Sequence, residues 1–263
     1  MSRIGMVLAG GLGKRMKSTK PKVLHEVGGV PMVVRAINAL REAPVDRLVA
    51  VLSHASDQVS AVLPSDTAVV VQERPRGTAS AIIDSAEYLE RDDDVIVVSF
   101  GDMPWLNPRS VNRLAAAIED GADAAVLTFV FDDPPHFGRI LRDGEGNLVD
   151  IVQFKDCSEG QRSIGELDAG MFAFNAKAIR DVLDQLDSNN AQNEIYLTDV
   201  PGKIALGGGR VVCVAAERLE EALGVNDPRH LEFAEQLLAL RESEEVLHLA
   251  DDFYRSICEA YQQ

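Results

Sequence analysis

The sequence predicts an α/β fold, an open and mostly parallel mixed sheet with helices on both faces, on three observations. Short β-branched apolar runs alternate with amphipathic stretches through the first half of the chain. A glycine-rich loop follows the first of these runs directly, and a hairpin signal breaks the alternation in the second half.

The predicted strands of the first half are Ile4 to Leu8, Leu48 to Leu52, Ala68 to Val71 and Val95 to Ser99. Between and after them, helices are predicted over Met32 to Glu42, Ser56 to Leu63, Thr78 to Glu90 and Pro108 to Asp120. The last has Asn107 as N-cap and Pro108 in its first turn, where a missing N–H costs nothing. Right-handed crossovers would then cover both faces of the sheet. After Ala122 come a strand from Ala124 to Phe131 and a pair, Gly138 to Arg142 and Leu148 to Phe154, around the turn Asp143-Gly144-Glu145-Gly146-Asn147. Met171 to Phe174 reads as a strand, Ala176 to Leu186 as a helix, and Val211 to Ala215 as the last strand, after the loop at Gly207 to Gly209. From Pro228 to Tyr261 the pattern is helical, with Leu231, Ala234, Leu237, Leu238 and later Val246, Leu249, Phe253 and Ile257 on apolar faces.

With 263 residues the chain can bury a substantial core without disulfides or a structural metal. Its three cysteines, Cys157, Cys213 and Cys258, are far apart and show no CxxC spacing, which reads as reduced thiols in a cytoplasmic protein. The apolar run from Ile4 to Ala9 is interrupted by Gly10 and Gly11, too soon for a signal or membrane-spanning segment. A formal net charge of −16 argues against nucleic acid and anionic membranes as partners. Yet Arg3, Lys14, Arg15, Lys17, Lys20 and Lys22 crowd the N-terminus, so a local anion site is expected in an acidic protein.

The loop itself reads Leu8-Ala9-Gly10-Gly11-Leu12-Gly13-Lys14-Arg15-Met16, running on to Pro21-Lys22-Val23-Leu24. Glycines let backbone amides close on an anion, and basic side chains neutralise it. Arg15 stands where a P-loop needs Ser or Thr, and Met16 where GxGxxG needs its third glycine, so both familiar phosphate motifs are excluded.

These residues resemble the sugar-1-phosphate nucleotidyltransferase (pyrophosphorylase) family, whose signature is a Gly-rich loop, Arg-Met, then Pro-Lys. The chain is most similar to the uridylyltransferase domain of the bacterial N-acetylglucosamine-1-phosphate uridylyltransferases. Further anchors follow in family order: Gln72 with Arg76-Gly77-Thr78-Ala79, Gly101-Asp102-Met103-Pro104, Phe137-Gly138-Arg139-Ile140, Asn190 to Asp199, and Gly224-Val225-Asn226. The resemblance implies a Rossmann-like, GT-A-like nucleotidyltransferase fold, three layers α/β/α. It would occupy residues 1–227, with a nucleotide half to about residue 106 and a sugar half over 107–227. Residues 228–263 would form a helical extension that caps the domain or pairs subunits into a homo-oligomer.

The implied reaction joins a sugar 1-phosphate to the α-phosphate of UTP, with N-acetylglucosamine 1-phosphate as first candidate, and releases pyrophosphate. Attack brings two anions together and expels a third, so catalysis is positioning and charge neutralisation without a protein nucleophile. By resemblance, Arg15 and Lys22 neutralise the phosphates, and Leu8, Ala9, Gly10, Gly11 and Gly13 line the nucleotide. Gln72, Gly77 and Thr78 read the uracil. Asp102 and Asn226 hold Mg²⁺ and border the sugar, which Gly138, Gln153 and Asp168 also contact. One carboxylate and one amide oxygen suffice for Mg²⁺, which keeps waters and phosphates as its other ligands.

Two positions depart from the family pattern. Gln153 stands where the N-acetylglucosamine enzymes carry glutamate, and Asp168 where they carry asparagine. The formal charge of the pocket is kept while its donor pattern moves, so another hexose or hexosamine 1-phosphate remains open as acceptor. The same chemistry with a different nucleotide, and a regulatory subunit that binds without turnover, are the remaining readings. The family's bifunctional members add an acetyltransferase of hexapeptide repeats, and no such periodicity is present, so acetyl transfer is not expected.

Overall fold

The computed structural model describes residues 1–242. The strands in chain order are β1 (Arg3–Leu8), β2 (Glu26–Val27), β3 (Val30–Pro31), β4 (Arg47–Leu52), β5 (Thr67–Val71), β6 (Val95–Phe100), β7 (Ala124–Val130), β8 (Arg139–Arg142), β9 (Leu148–Val152), β10 (Glu166–Asn175) and β11 (Val211–Ala215). The helices are α1 (Met32–Glu42), α2 (Ser56–Ser60), α3 (Thr78–Ile83), α4 (Pro108–Glu119), α5 (Glu159–Arg162), α6 (Ala176–Val182), α7 (Asp199–Leu206) and α8 (Pro228–Glu242).

Apart from the small β2–β3 ribbon, the strands form one sheet of order β11-β7-β10-β6-β1-β4-β5, with β8 and β9 attached through β10. Strands β6, β1, β4 and β5 pair in parallel, as do β7 and β11. Strand β10 runs antiparallel to both β6 and β7 and makes the sheet mixed. Along β1, Ile4, Met6 and Leu8 face one buried cluster with Ile82 of α3, Ile179 of α6 and Ile204 of α7. Val7 faces the other, with Ile37 of α1, Leu114 of α4 and Leu237 of α8. A strand covered on both faces has no polar position to alternate with, which is why these runs are apolar throughout.

The predicted elements return with shifted ends. The helix expected to Leu63 stops at Ser60, and that expected to Glu90 stops at Ile83, with a separate 3₁₀ turn over Ala86–Tyr88. Likewise the helix expected to Leu186 ends at Val182 and continues as a 3₁₀ turn, Leu183–Gln185. Strand β10 begins five residues before the predicted Met171, because an irregularity between Asp168 and Phe172, with Gly170 at φ 75°, breaks its period of two. Asn107 caps α4 as expected, accepting from the Arg109 amide at 3.0 Å. At the start of α8 the capping side chain is Asp227. Its Oδ1 accepts from the amides of Arg229 and His230 at 2.9 and 3.1 Å.

Helix α7 has no counterpart among the predicted elements. Pro201 lies in its first turn, where its missing N–H has no intrahelical partner to lose. Gly202 lets the helix close on β9, since a Cβ there would lie 2.7 Å from Asp150 Oδ1. The helical positions predicted beyond residue 242, Val246 to Tyr261, lie outside the described residues. Among the described residues no helix is long and apolar enough to cross a membrane.

Candidate active site

Open α/β sheets bind ligands beyond the carboxyl ends of their strands. Here Leu8 is in register with Val51 of β4 and Phe100 of β6, and Leu52 with Val71 of β5. The segments after these residues therefore emerge together. Strand β10 runs the opposite way, so its start, with Asp168, lies at the same edge as the end of β6.

Two cavities open along this edge. The first, about 400 Å³, is lined by Leu8, Ala9, Gly10, Gly11, Lys22, Gln72, Gly77, Thr78 and Asp102 among others. The second, about 320 Å³, is lined by Thr78, Asp102, Gly138, Gln153, Asp168 and Asn226 among others. They share Thr78, Phe100, Asp102 and Glu194. The residues expected to contact nucleotide and those expected to contact sugar thus meet at Asp102. Glu194, from the later half of the chain, was assigned no role from sequence although it borders both cavities.

At the junction the Lys22 ammonium donates to Asp102 Oδ2 and, at 3.1 Å, to Asn226 Oδ1. Asn226 is brought there by the loop from Gly224, because the Val225 amide donates to the Asp102 carbonyl at 2.8 Å. Its Nδ2 donates to the Gly224 carbonyl at 3.2 Å, which turns Oδ1 toward Lys22. A carboxylate and an amide oxygen converging on one cation is a donor set that suits a hard divalent ion, and the ammonium marks the point where both reach. Asp102 and Asn226 therefore fit Mg²⁺.

The glycines divide by role. A Cβ at Gly10 would meet Ser53 Oγ at 2.8 Å, and Ser53 donates to the Gly10 carbonyl, so this residue lies flat against β4. Gly11 has open space around it. Gly13, at φ 59°, does not line the first cavity; a Cβ there would lie 2.5 Å from Lys22 Cβ. Its bare α-carbon makes room for the lysine stem rather than for an anion. Gly77, at φ 124°, is pressed against Ile195, whose N and O would both lie 2.5 Å from an added Cβ.

Gln72 is buried, and its orientation is fixed by a short network. Ser80 Oγ gives its one proton to the Gly77 carbonyl at 2.7 Å, so toward Gln72 it can only accept. Gln72 Nε2 donates to that oxygen at 3.1 Å and to Asp84 Oδ2 at 2.9 Å. Both amide protons are used, which leaves Oε1 as an acceptor. On the sugar side, Gln153 Nε2 likewise donates to Thr198 Oγ1 at 3.1 Å. Ser80, Asp84 and Thr198 were not assigned orienting roles from sequence, although Thr198 lies within the Asn190 to Asp199 anchor.

Asp168 is 7% exposed, and its Oδ1 accepts from the Gly170 amide at 2.8 Å. Burial pushes its carboxyl up to about 7, against the partial offset of that hydrogen bond. The folded state therefore holds a proton that the unfolded state gives up near pH 4. The stability this proton contributes is complete below about pH 4 and is lost as pH rises through about 7. Asp168→Asn removes this titration. Its stability relative to the parent is expected to rise between about pH 5 and 8, by an amount on the order of a few kcal/mol, in chemical denaturation at stepped pH. A pH-independent difference would show that Asp168 does not titrate in this range.

Arg15 lines a different cavity from Lys22. It is exposed on the 3₁₀ turn Lys14–Met16 and lines a third, larger cavity that touches the sugar pocket at Gln153 and Asn226. The two residues expected to neutralise the phosphates thus border different cavities, Lys22 the first and Arg15 the third.

Residues 5–196 match the family described as MobA-like NTP transferase domain. Among curated proteins, the chain is 36% identical over 242 residues to the bifunctional protein GlmU of Geobacillus sp. (strain WCH70), covering 92% of this chain and 53% of that protein. It is 39% identical over 250 residues to the GlmU of Corynebacterium aurimucosum, covering 92% and 51%. The chain thus spans about half the length of the curated relatives it matches. Among solved structures, a chain designated a glucose-1-phosphate thymidylyltransferase of Bacillus anthracis superposes with a TM-score of 0.70 at 20% identity, covering 90% of this chain and 95% of that one. That likeness shows the shared α/β fold.

Proposed function

The chain belongs to the MobA-like NTP transferase domain family, and from that premise we propose that it transfers a uridylyl group from UTP to a sugar 1-phosphate, releasing pyrophosphate. N-acetylglucosamine 1-phosphate is the first acceptor to test. The observation that carries this reading is the junction itself. Two cavities meet at Asp102, where Lys22 and Asn226 converge, so a phosphate entering from either side reaches the same cation site.

In this reading the nucleotide occupies the first cavity and the sugar the second. Lys22 neutralises the transferring phosphate and stabilises charge as it builds on the leaving pyrophosphate. Asp102 and Asn226 would hold Mg²⁺, which supplies charge neutralisation at the phosphates. Thr78 accepts from the Leu197 amide at 2.8 Å and ties the wall of the first cavity to the segment that carries Glu194. The division into a nucleotide half and a sugar half is functional, because residues of each half border the other's cavity. The cytoplasm, where nucleoside triphosphates are made, is the proposed compartment.

The orientation of Gln72 supports uracil. With both amide protons given to Ser80 and Asp84, Oε1 can accept from the N3–H of uracil or thymine, whereas cytosine presents a lone pair there. UTP and dTTP are expected to exceed CTP at least about tenfold in kcat/KM, the ratio one lost hydrogen bond of this kind supports. Asp84→Ala frees one amide proton and is expected to shrink the UTP:CTP ratio. An unchanged ratio would remove Gln72 as the base reader.

The test of the reaction is pyrophosphate release with Mg²⁺ across UTP, CTP, ATP, GTP and dTTP, each against hexose and hexosamine 1-phosphates. Release with UTP and one sugar phosphate supports the proposal and identifies the acceptor. Silence across the panel, in protein that binds UTP, overturns it in favour of a regulatory binder.

A further inference from the structure

The third cavity runs against the charge of the molecule. In a protein of net charge −16, its lining includes Arg15, Lys17, Lys155 and Arg229, with Asp227 as the one carboxylate among the described residues. At about 830 Å³ it exceeds either of the other two cavities. It shares His136, Gln153, Gln192 and Asn226 with the sugar pocket and no residue with the nucleotide pocket.

Its cations come from three separate parts of the chain: the turn after the glycine loop, the 3₁₀ turn Phe154–Asp156 that follows β9, and the start of α8. Nothing in local sequence groups them. Lys155 Nζ is anchored on Gln192 Oε1 at 2.9 Å, and Arg229 reaches Asp227 Oδ2 at 3.3 Å, so both charges are held at the cavity wall. Arg139 and Arg162 stand over the Phe154 ring at 5.3 and 5.1 Å, and His136 stacks on the same ring at 3.8 Å. Burial first, and these two guanidiniums second, hold the His136 ring below its ordinary pKa. Like charges gathered around a concavity repel one another, and an anion between them relieves that repulsion.

We propose that this cavity is a second phosphate-anion site, which holds the phosphate oxygens of an entering sugar 1-phosphate or of departing pyrophosphate outside the nucleotide pocket. The identity of the two candidate anions rests on the nucleotidyl-transfer reading; the binding of an anion does not. A polyanion approaching an acidic protein meets a repulsive field, and a cationic vestibule beside the sugar pocket reverses that field locally.

Lys155 and Arg229 are exposed, so the double substitution Lys155→Ala/Arg229→Ala disturbs no core. Titration calorimetry on the full chain with Mg²⁺ would measure binding of inorganic pyrophosphate, N-acetylglucosamine 1-phosphate and UTP to parent and variant. Weakening of pyrophosphate or of the sugar phosphate by roughly tenfold, with UTP unchanged, is the expected result, and whichever anion weakens is the one the site holds. The charge-keeping pair Lys155→Arg/Arg229→Lys should restore it. Unchanged affinities for both anions, or equal weakening of all three ligands, would overturn the site. Absence of turnover in the parent would count against the proposed reaction alone, since these affinities are read without it.

Discussion

Asp102→Ala is expected to lower Mg²⁺-dependent pyrophosphate release by roughly a thousandfold or more, the scale of losing a preorganised charge contact at a transferring group. The fold should survive. The Asp102 side chain is 16% exposed and lies in a loop beyond the end of β6, and its backbone carbonyl keeps the hydrogen bond from Val225. What is lost is the carboxylate partner of the Lys22 ammonium, itself 14% exposed, at a cost of roughly 1 to 2 kcal/mol for a half-screened pair, while its bond to Asn226 remains. Initial rates at saturating UTP and sugar phosphate, set beside thermal unfolding curves, separate the two effects. Near-normal rates in the variant would remove Asp102 from the metal site and with it the junction on which the proposed reaction rests.

The second large effect is on the fold. Gly77→Ala is expected to lower Tm by roughly 10 °C and to abolish UTP binding. At φ 124° and ψ 177° an L side chain is strained, and the new Cβ would enter the backbone of Ile195 at 2.5 Å. That backbone cannot easily retreat. The Ile195 amide donates to the Arg76 carbonyl at 2.7 Å, and its carbonyl accepts from Ala79 at 2.9 Å. Separating the segments breaks both bonds and opens the wall that Thr78 and Glu194 share. Gly11→Ala, with open space at its α-carbon, is the matched control and should move Tm by less than about 2 °C. If the two variants unfold alike, the close approach at Gly77 is not what holds this wall.

The two predictions differ in how visible their residues are in the chain. Gly77 belongs to a contiguous motif, Arg76-Gly77-Thr78-Ala79, whereas its contact, Ile195, lies more than a hundred residues away. Asp102 reads by itself as a turn residue before Pro104. Its meaning comes from Lys22, 80 residues before it, and from Asn226, which lies 204 residues beyond Lys22.

The sequence by itself determined most strands of the main sheet, the glycine loop and the class of fold, because a strand covered on both faces needs a continuous apolar run and a chain turning tightly at a strand end needs glycine. It also determined which residue types could meet phosphate. Only the tertiary structure decided how they meet. Pairing of β1 with β4 and β6 brings the strand ends level, and the reversed β10 carries Asp168 to the same edge. The loop from Gly224 is pinned to Asp102 by one backbone hydrogen bond. Gln72 becomes an acceptor through Ser80 and Asp84. Each of these is a long-range pairing or a hydrogen-bond direction, and neither leaves a period or a spacing in the chain for a reader of the sequence to find.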